Sequence, residues 1–201
     1  MINQSTPQLT DTADTATRIL EAAEAQFRHY GYSKTTVADV AKDLGMSPAN
    51  IYRFFASKSE LLEGVCARLL AQSLKIAEDF AAMPLSAEER LRGYAMAQFQ
   101  FTVTTMMDEK KVHEMAVVAI EQSWGVIDKH IDEVQAILAR IIEDGMEKGE
   151  FAKGDAVHIA RCFGAAISPL HHPQLVAQCI GKDNRAKPEE LIEFAIRALK
   201  A

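Results

Sequence analysis

The sequence predicts an all-α protein of about nine helices, and three observations lead to this prediction. Apolar residues recur three and four positions apart along most of the chain, which is the spacing of one helix face. No segment alternates apolar and polar residues convincingly, as a half-buried strand does. Glycine, proline and helix-capping residues stand where the helical pattern starts and stops.

Composition and charge restrict the class of protein. The chain has 201 residues, of which 48% are hydrophobic and 25% charged, close to a globular average. The net charge is −6, but residues 16–60 contain six basic and five acidic side chains, so this segment is +1 and the remaining chain is −7. The N-terminal part is therefore a near-neutral module on an acidic body.

The N-terminal residues and the cysteines predict a cytoplasmic protein. Residues 1–13 are polar and are expected to form a flexible arm, without the basic residues of a targeting peptide or of a minor-groove arm. No apolar run approaches the ~20 residues of a membrane span. Cys66, Cys162 and Cys179 are far apart in sequence and odd in number, which fits reduced thiols.

The first three predicted helices are short and end at glycines or turns. Residues 15–30 carry an apolar stripe and stop at Gly31. A second helix covers residues 36–44, and a third begins at Pro48 behind the capping residue Ser47 and continues to about residue 55.

The remaining helices are longer and carry wide apolar stripes. Ser57 and Ser86 each precede a glutamate by three positions, which is the capping-box pattern at a helix start. The predicted ranges are residues 58–82, 86–107, 109–123, 126–148, 155–170 and 188 to the C-terminus, with a polar loop over 180–187.

The second and third helices have the spacing of a helix-turn-helix unit. Ala41 lies in the 36–44 helix and is small where the 48–55 helix must cross it, and Gly45 permits the left-handed turn between them. Ile51 is the apolar residue that would fix the 48–55 helix to the domain. Residues 47–49, Asn50 and Arg53 then remain free to enter a major groove of DNA.

Residues 36–62, TVADVAKDLGMSPANIYRFFASKSELL, resemble the N-terminal domain of the TetR family of bacterial transcriptional regulators. Tyr52, Phe55, Lys58 and Leu61 are similar to a tyrosine, phenylalanine, lysine and leucine signature of that family. The resemblance extends over residues 15–65. It implies a DNA-binding domain at 14–65, with its motif at 36–55, and a C-terminal ligand-binding and dimerisation domain at 66–201.

The resemblance also implies a role for each matching position. Thr36, Tyr52 and Lys58 would hold backbone phosphates, while Ser47, Pro48, Ala49 and Asn50 would face base edges. Two positions depart from the family pattern, because Ala49 stands where glycine is frequent and Phe54 where histidine is frequent. Phe54 cannot donate a hydrogen bond to a base, but it can contact a thymine methyl. Considered singly, these residues are also ordinary helix caps and solvated side chains.

A second set of residues could line an effector pocket in the C-terminal domain. Methionine and aromatic side chains adapt to apolar ligands. The candidates are Met96, Phe99, Met106, Met115 and Trp124. The alternative is that they belong to an ordinary core. His158 and Cys162 have a spacing that can hold a metal, but adjacent His171 and His172 diverge on a helix, so we expect no metal and no cofactor.

Small residues on the predicted 155–170 helix suggest a subunit contact. Ala160, Gly164 and Ile167 share one face, and small residues permit close approach of another helix. The resemblance implies a four-helix bundle made from the last two helices of each subunit. The alternative is that this face packs within its own domain.

The predicted function is therefore that of a DNA-binding transcriptional repressor. It would bind a pseudo-palindromic operator as a homodimer, and a small-molecule effector that the sequence leaves open would release it. One alternative is a helical protein-interaction module without DNA binding. An enzyme is disfavoured, because the sequence has no nucleotide-binding loop, His-Glu-x-x-His motif or nucleophile elbow.

Overall fold

The computed structural model describes residues 8–105, 111, 115, 118 and 125–200. Over these residues the chain forms ten α-helices and no strand. None of these helices combines the length and the apolar character that a membrane crossing requires. The helices are α1 Gln8–Tyr30, α2 Val37–Asp43, α3 Pro48–Tyr52, α4 Lys58–Ala82, α5 Ala87–Thr105, α6 Gly125–Glu147, α7 Ala156–Ala166, α8 Ser168–His171, α9 Pro173–Cys179 and α10 Pro188–Arg197.

An N-terminal core joins α1, α2, α3 and the first half of α4. Its fully buried side chains include Phe27, Ile51 and Leu62. A salt bridge between Arg68 and Glu21, at 3.1 Å, ties α4 to α1 on the outside of this core. The two helices of the helix-turn-helix unit are thereby held by two longer helices.

A second core lies in the C-terminal part of the chain and involves α4 to α8 and α10. Leu91, Ile141 and Ile196 are fully buried there. Arg90 is also buried, and its guanidinium pairs with Asp144 and donates to the carbonyl of Ala81 at 3.3 Å. Because α4 contributes Leu69 to the N-terminal core and Ala77 to the C-terminal core, it connects the two.

The first helix begins earlier than the sequence analysis predicted. α1 starts at Gln8, so residues 8–13 of the expected flexible arm are helical. No glycine or proline interrupts the sequence from Gln8 to Tyr30. Once the buried stripe of α1 has formed a helix, extending it costs little, because each added residue adds a hydrogen bond. The hydroxyl of Thr17, in the predicted part of the helix, donates to the carbonyl of Ala13 in this extension at 3.0 Å.

The C-terminal part of the chain contains more and shorter helices than predicted. The expected helix over 155–170 is two helices, α7 and α8, and α9 was not predicted at all. Pro169 and Pro173 explain the division, because proline fits the first turn of a helix but removes a backbone donor from its interior. The predicted helix over 109–123 lies outside the described residues, apart from Lys111, Met115 and Val118, each of which is helical.

Candidate nucleic-acid interface

The start of α2 is fixed by a reciprocal cap between Thr36 and Asp39. The Thr36 hydroxyl accepts from the Asp39 backbone N–H at 3.2 Å and donates to the Asp39 carboxylate at 2.6 Å. The Thr36 backbone N–H also donates to that carboxylate, at 2.8 Å. These bonds lower the pKa of Asp39. The hydroxyl that was predicted to hold a phosphate is therefore already hydrogen-bonded within the protein.

The turn between α2 and α3 matches the predicted arrangement. Gly45 has φ +64°, the left-handed conformation that glycine adopts at least cost. The backbone N–H of Met46 donates to the carbonyl of Ala41 at 2.9 Å, which closes the turn. Ala41 and Ile51 are both buried in the N-terminal core, as their small and apolar side chains predicted.

Helix α3 presents most of the predicted base-reading residues to solvent. Ser47 caps it by accepting from the Asn50 backbone N–H at 3.3 Å. Ser47, Pro48, Ala49, Asn50, Tyr52 and Arg53 are all exposed, and the Tyr52 side chain is 51% exposed. The helix ends at Tyr52 instead of residue 55, so Arg53 is its C-terminal cap. Phe54 differs from the others, because it is half-buried and packs against the N-terminal core.

Lys58 stands at the first position of α4, next to an aromatic residue that the sequence analysis did not single out. Its ammonium lies 4.1 Å from the centroid of the Tyr32 ring. Tyr32 in turn packs edge-on against Phe27, with the ring centroids 5.4 Å apart. Ser57 begins the helix by accepting from the Glu60 backbone N–H at 3.0 Å. The lysine is thus positioned by a ring of the N-terminal core.

Two further cations near α2 were missed by the sequence analysis. Lys34 and Lys42 are exposed and line a cleft of about 290 Å³ between α1 and α2. The cleft also contains the carboxylates of Asp39 and Asp43, so its charge is mixed. Lys34 precedes α2 and Lys42 lies in its last turn, so the fold brings together two charges that are isolated in the sequence.

The predicted effector residues do not form one group. Met96 and Phe99 are half-buried and pack against the C-terminal core. Met115 instead packs against the N-terminal core, so the structure does not bring it together with Met96 and Phe99. The ammonium of Lys111 donates to the backbone carbonyl of His29 at 2.6 Å, which links this lysine to α1. Met106 and Trp124 lie outside the described residues.

Two of the three residues of the predicted dimer stripe are buried in their own subunit. Ala160 and Ile167 are each 1% exposed and belong to the C-terminal core. Gly164 is half-buried, and a Cβ added to it would meet nothing within 4 Å, so this position is not closely packed. The exposed side of α7 carries other residues, namely Val157, His158, Arg161, Cys162, Ala165 and Ala166.

Comparisons with known proteins agree with this architecture. Residues 19–65 match the profile of bacterial regulatory proteins of the tetR family, and residues 87–192 match the tetracyclin repressor-like C-terminal domain. The chain is 30% identical to the helix-turn-helix transcriptional regulator YhgD of Bacillus subtilis (strain 168) over 131 residues, or 65% of this chain and 69% of the relative.

Two further similarities extend the comparison. The chain is 31% identical to the transcriptional repressor KstR2 of Mycobacterium tuberculosis over 143 residues, or 66% of this chain and 67% of the relative. A crystal structure of a transcriptional regulator from Pseudomonas aeruginosa PAO1 shares the fold, with a TM-score of 0.68 and 16% identity over 94% of this chain and 95% of the other. The chain therefore belongs to the TetR family of bacterial regulatory proteins and is a DNA-binding transcriptional regulator with a helix-turn-helix domain.

Proposed function

We propose that this regulator is a homodimeric cytoplasmic repressor that leaves its operator when a small molecule binds the C-terminal domain. The observation that carries the DNA-binding part is the exposure of α3. This helix is capped by Ser47 and fixed by the buried Ile51, and its remaining side chains project into solvent. Such a helix can enter a major groove without rearrangement of the domain.

The exposed residues divide into two roles. Ser47, Pro48, Ala49 and Asn50 occupy the first turn of α3 and would face base edges, where the amide of Asn50 can form paired hydrogen bonds with adenine. Tyr52 ends α3, Arg53 and Lys58 follow it, and all three would contact phosphates. A phosphate would compete with Asp39 for the Thr36 hydroxyl, so we assign more of the phosphate binding to Tyr52 and Lys58.

A dimer surface is better placed on the outer sides of α7 and α10 than on the predicted stripe. Val157 on α7 is 52% exposed and Phe194 on α10 is 71% exposed, so both apolar side chains are accessible to a partner subunit. To bind a pseudo-palindrome, such a homodimer must hold its two copies of α3 about 34 Å apart, one turn of DNA.

Helix α4 supports the coupling between effector and DNA. It contributes side chains to both cores, so a shift of α4 in the C-terminal core also moves the end that carries Lys58. A ligand that binds one position of α4 more tightly than the other would change the affinity for the operator. The similarity to the repressor KstR2 supports repression over activation.

Footprinting of the purified full chain on genomic fragments, including the region upstream of its own gene, tests this proposal. We expect a two-fold symmetric protected site that is lost in the Asn50→Ala, Lys58→Ala double variant. A Lys182→Ala variant, changed in an exposed residue after α9, serves as the control. Absence of protection on every fragment would contradict the proposal and would favour a protein-interaction module. Catalytic turnover of a bound compound would instead indicate an enzyme.

A further inference from the structure

A cleft of about 670 Å³ opens between α4, α6 and α7 on the surface of the C-terminal domain. We call it the acidic cleft. Its volume lies within the ~300–1,000 Å³ of sites that hold small organic molecules. Its described lining residues belong to α4, α6 or α7 or, in one case, directly precede α7. The cleft is therefore separate from the surface that we assign to DNA.

Apolar side chains from all three helices line the acidic cleft. Ile137 of α6 is buried, Leu74 of α4 is half-buried and Val157 of α7 is 52% exposed. Apolar surface thus continues from the C-terminal core to the outer side of α7. Ala136 and Ala156 also line the cleft, and their small side chains leave space between the larger ones. A ligand that occupies the cleft would therefore cover apolar surface, which favours binding of an apolar group.

Negative charge surrounds this apolar surface. Four carboxylates and one guanidinium, that of Arg140, line the cleft, so the formal charge of its lining is −3. The carboxylates are those of Glu78 on α4, Glu133 and Glu143 on α6, and Asp155 directly before α7. Because the carboxylates come from three parts of the chain, they border the cleft on more than one side.

Two of the carboxylates have no partner in the described part of the chain. Glu78 and Glu143 are exposed, and neither a hydrogen bond nor a salt bridge to another described residue engages their side chains. Asp155 differs from them, because its carboxylate accepts from two backbone N–H groups as the cap of α7. Glu78 and Glu143 are therefore the acids that a ligand can contact without breaking an interaction.

The cations near the cleft compensate only part of its charge. Lys129 pairs with Glu133 at 3.6 Å, and Lys75 pairs at 2.5 Å with Asp79, which is not among the lining residues. Arg140 lines the cleft, but no carboxylate of the described residues lies within salt-bridge distance of its guanidinium. A positive charge that enters the cleft would consequently be attracted by the two unpaired glutamates.

We propose that the acidic cleft binds an organic cation with an apolar body, such as an amine or a quaternary ammonium with an alkyl tail. This inference rests on the proposed effector response and names its ligand class. The positive charge lies near the carboxylates of Glu78 and Glu143, and the apolar body covers Leu74, Ile137 and Val157. Such a ligand contacts α4 and α6 together. Because α4 also contributes to the N-terminal core, the ligand can favour one position of the DNA-binding domain.

Calorimetry on the full chain tests the ligand class with octyltrimethylammonium as the probe. Octanol lacks the charge and tetramethylammonium lacks the tail, so these two compounds are the controls. We expect one probe molecule to bind per chain, at least about tenfold more tightly than either control, because both the charge and the tail contribute. The affinity should decrease as the salt concentration rises. Absence of binding of the probe, or equal binding of either control, would overturn the proposal.

Charge variants of opposite sign locate the site. Glu78→Gln and Glu143→Gln should each raise the dissociation constant of the probe about fivefold, the effect of one charge about 4 Å away in water. Arg140→Gln should lower it, because this variant removes a like charge, whereas a structural disturbance would weaken binding in every variant. Glu189→Gln, changed at an exposed glutamate of α10 outside the cleft, is the control. Unchanged affinity in both glutamate variants of the cleft would overturn the assignment.

Methyl resonances of the unmodified protein give a test that needs no variant. The probe should shift the resonances of Leu74 and Val157, and unchanged resonances would contradict the site. If the probe does not bind and Glu143→Gln raises the dimer dissociation constant, the cleft contacts a second copy of the chain and the proposal is wrong. Operator release is measured separately, so binding in the cleft without release would contradict the proposed effector response but not the site.

Discussion

The ammonium of Lys58 lies 4.1 Å from the centre of the Tyr32 ring, so the first residue of α4 is held against the turn between α1 and α2. A cation over an aromatic face contributes about 0.5–1 kcal/mol at an exposed site. The same lysine was assigned to a DNA phosphate from the resemblance alone. The contact places its charge at a fixed point of the N-terminal domain, which favours a phosphate contact over a freely moving side chain.

Replacement of Lys58 should therefore affect both DNA binding and stability. Lys58→Ala should weaken binding to operator and nonspecific DNA about equally and should reduce the salt slope by about two for a dimer. It should also lower the free energy of unfolding by about 0.5–1 kcal/mol. Fluorescence anisotropy over a series of salt concentrations measures the first effect, with Lys182→Ala as the control. An unchanged salt slope would remove Lys58 from the phosphate-binding set.

Substitutions of Asn50 and Tyr52 should weaken DNA binding in different ways. Asn50→Ala should relax base preference at one symmetric pair of operator positions, with a loss of about 1–3 kcal/mol for the preferred base. Tyr52→Phe removes one hydroxyl from a half-exposed ring. This variant should bind all DNA sequences more weakly, and by about the same factor. Binding to a library of operator variants separates the two results. Equal weakening of specific and nonspecific binding by Asn50→Ala would show that this residue does not read a base.

Gly45 should tolerate asparagine better than valine. An added Cβ would meet nothing within 4 Å, so the cost of substitution comes from the backbone at φ +64°. Gly45→Val should destabilise the N-terminal domain by more than about 1 kcal/mol, and Gly45→Asn by less, because asparagine adopts this conformation more readily. Denaturation curves compare the two variants. Equal stability of the valine variant and the unmodified protein would show that the turn does not need glycine.

The proposed dimer surface can be tested at Phe194. Phe194→Glu places a charge in the contact and should raise the dimer dissociation constant by at least about tenfold, which is 1.4 kcal/mol. The helical content should not change, because this side chain is 71% exposed in the subunit. Sedimentation and circular dichroism measure both quantities, with Ile180→Glu after α9 as a matched control. A dimer of unchanged stability would place the contact elsewhere.

Three half-buried histidines of the C-terminal domain should make the stability of the protein depend on pH. Burial lowers the pKa of His130, His171 and His172 in the folded chain. As the pH falls, the unfolded chain therefore binds more protons than the folded chain does. The free energy of unfolding should therefore be highest above about pH 6.5, the ordinary pKa of histidine, and should decrease as the pH falls below that value.

The melting temperature should therefore fall between pH 7.5 and 5 at fixed ionic strength, a window in which histidines titrate. The lowered carboxyl pKa values of Asp39, Glu88 and Asp144 affect stability only at lower pH. His171→Gln should flatten this dependence and His29→Gln should not. A melting temperature that is constant over the window would contradict the prediction.

Local chemistry determined much of the N-terminal domain. Gly45, Ser47 and Pro48 specify a turn and a helix start through their own backbone and side chains, so the helix-turn-helix unit could be predicted from a short segment. Proline likewise explains the helix starts near residues 169 and 173. These features need no distant contact to form.

Tertiary structure decided which face of a helix is covered and which residues meet. Ala160 and Ile167 form an apolar stripe that fits either a partner subunit or α6, and only packing showed that it is buried in its own core. Met115 joined the N-terminal core for the same reason. The hydroxyl of Ser73 lies 3.4 Å from Nε2 of His130, although 57 positions separate the two residues in the sequence. Helical periodicity defines a face, but the neighbour that covers it depends on the path of the whole chain.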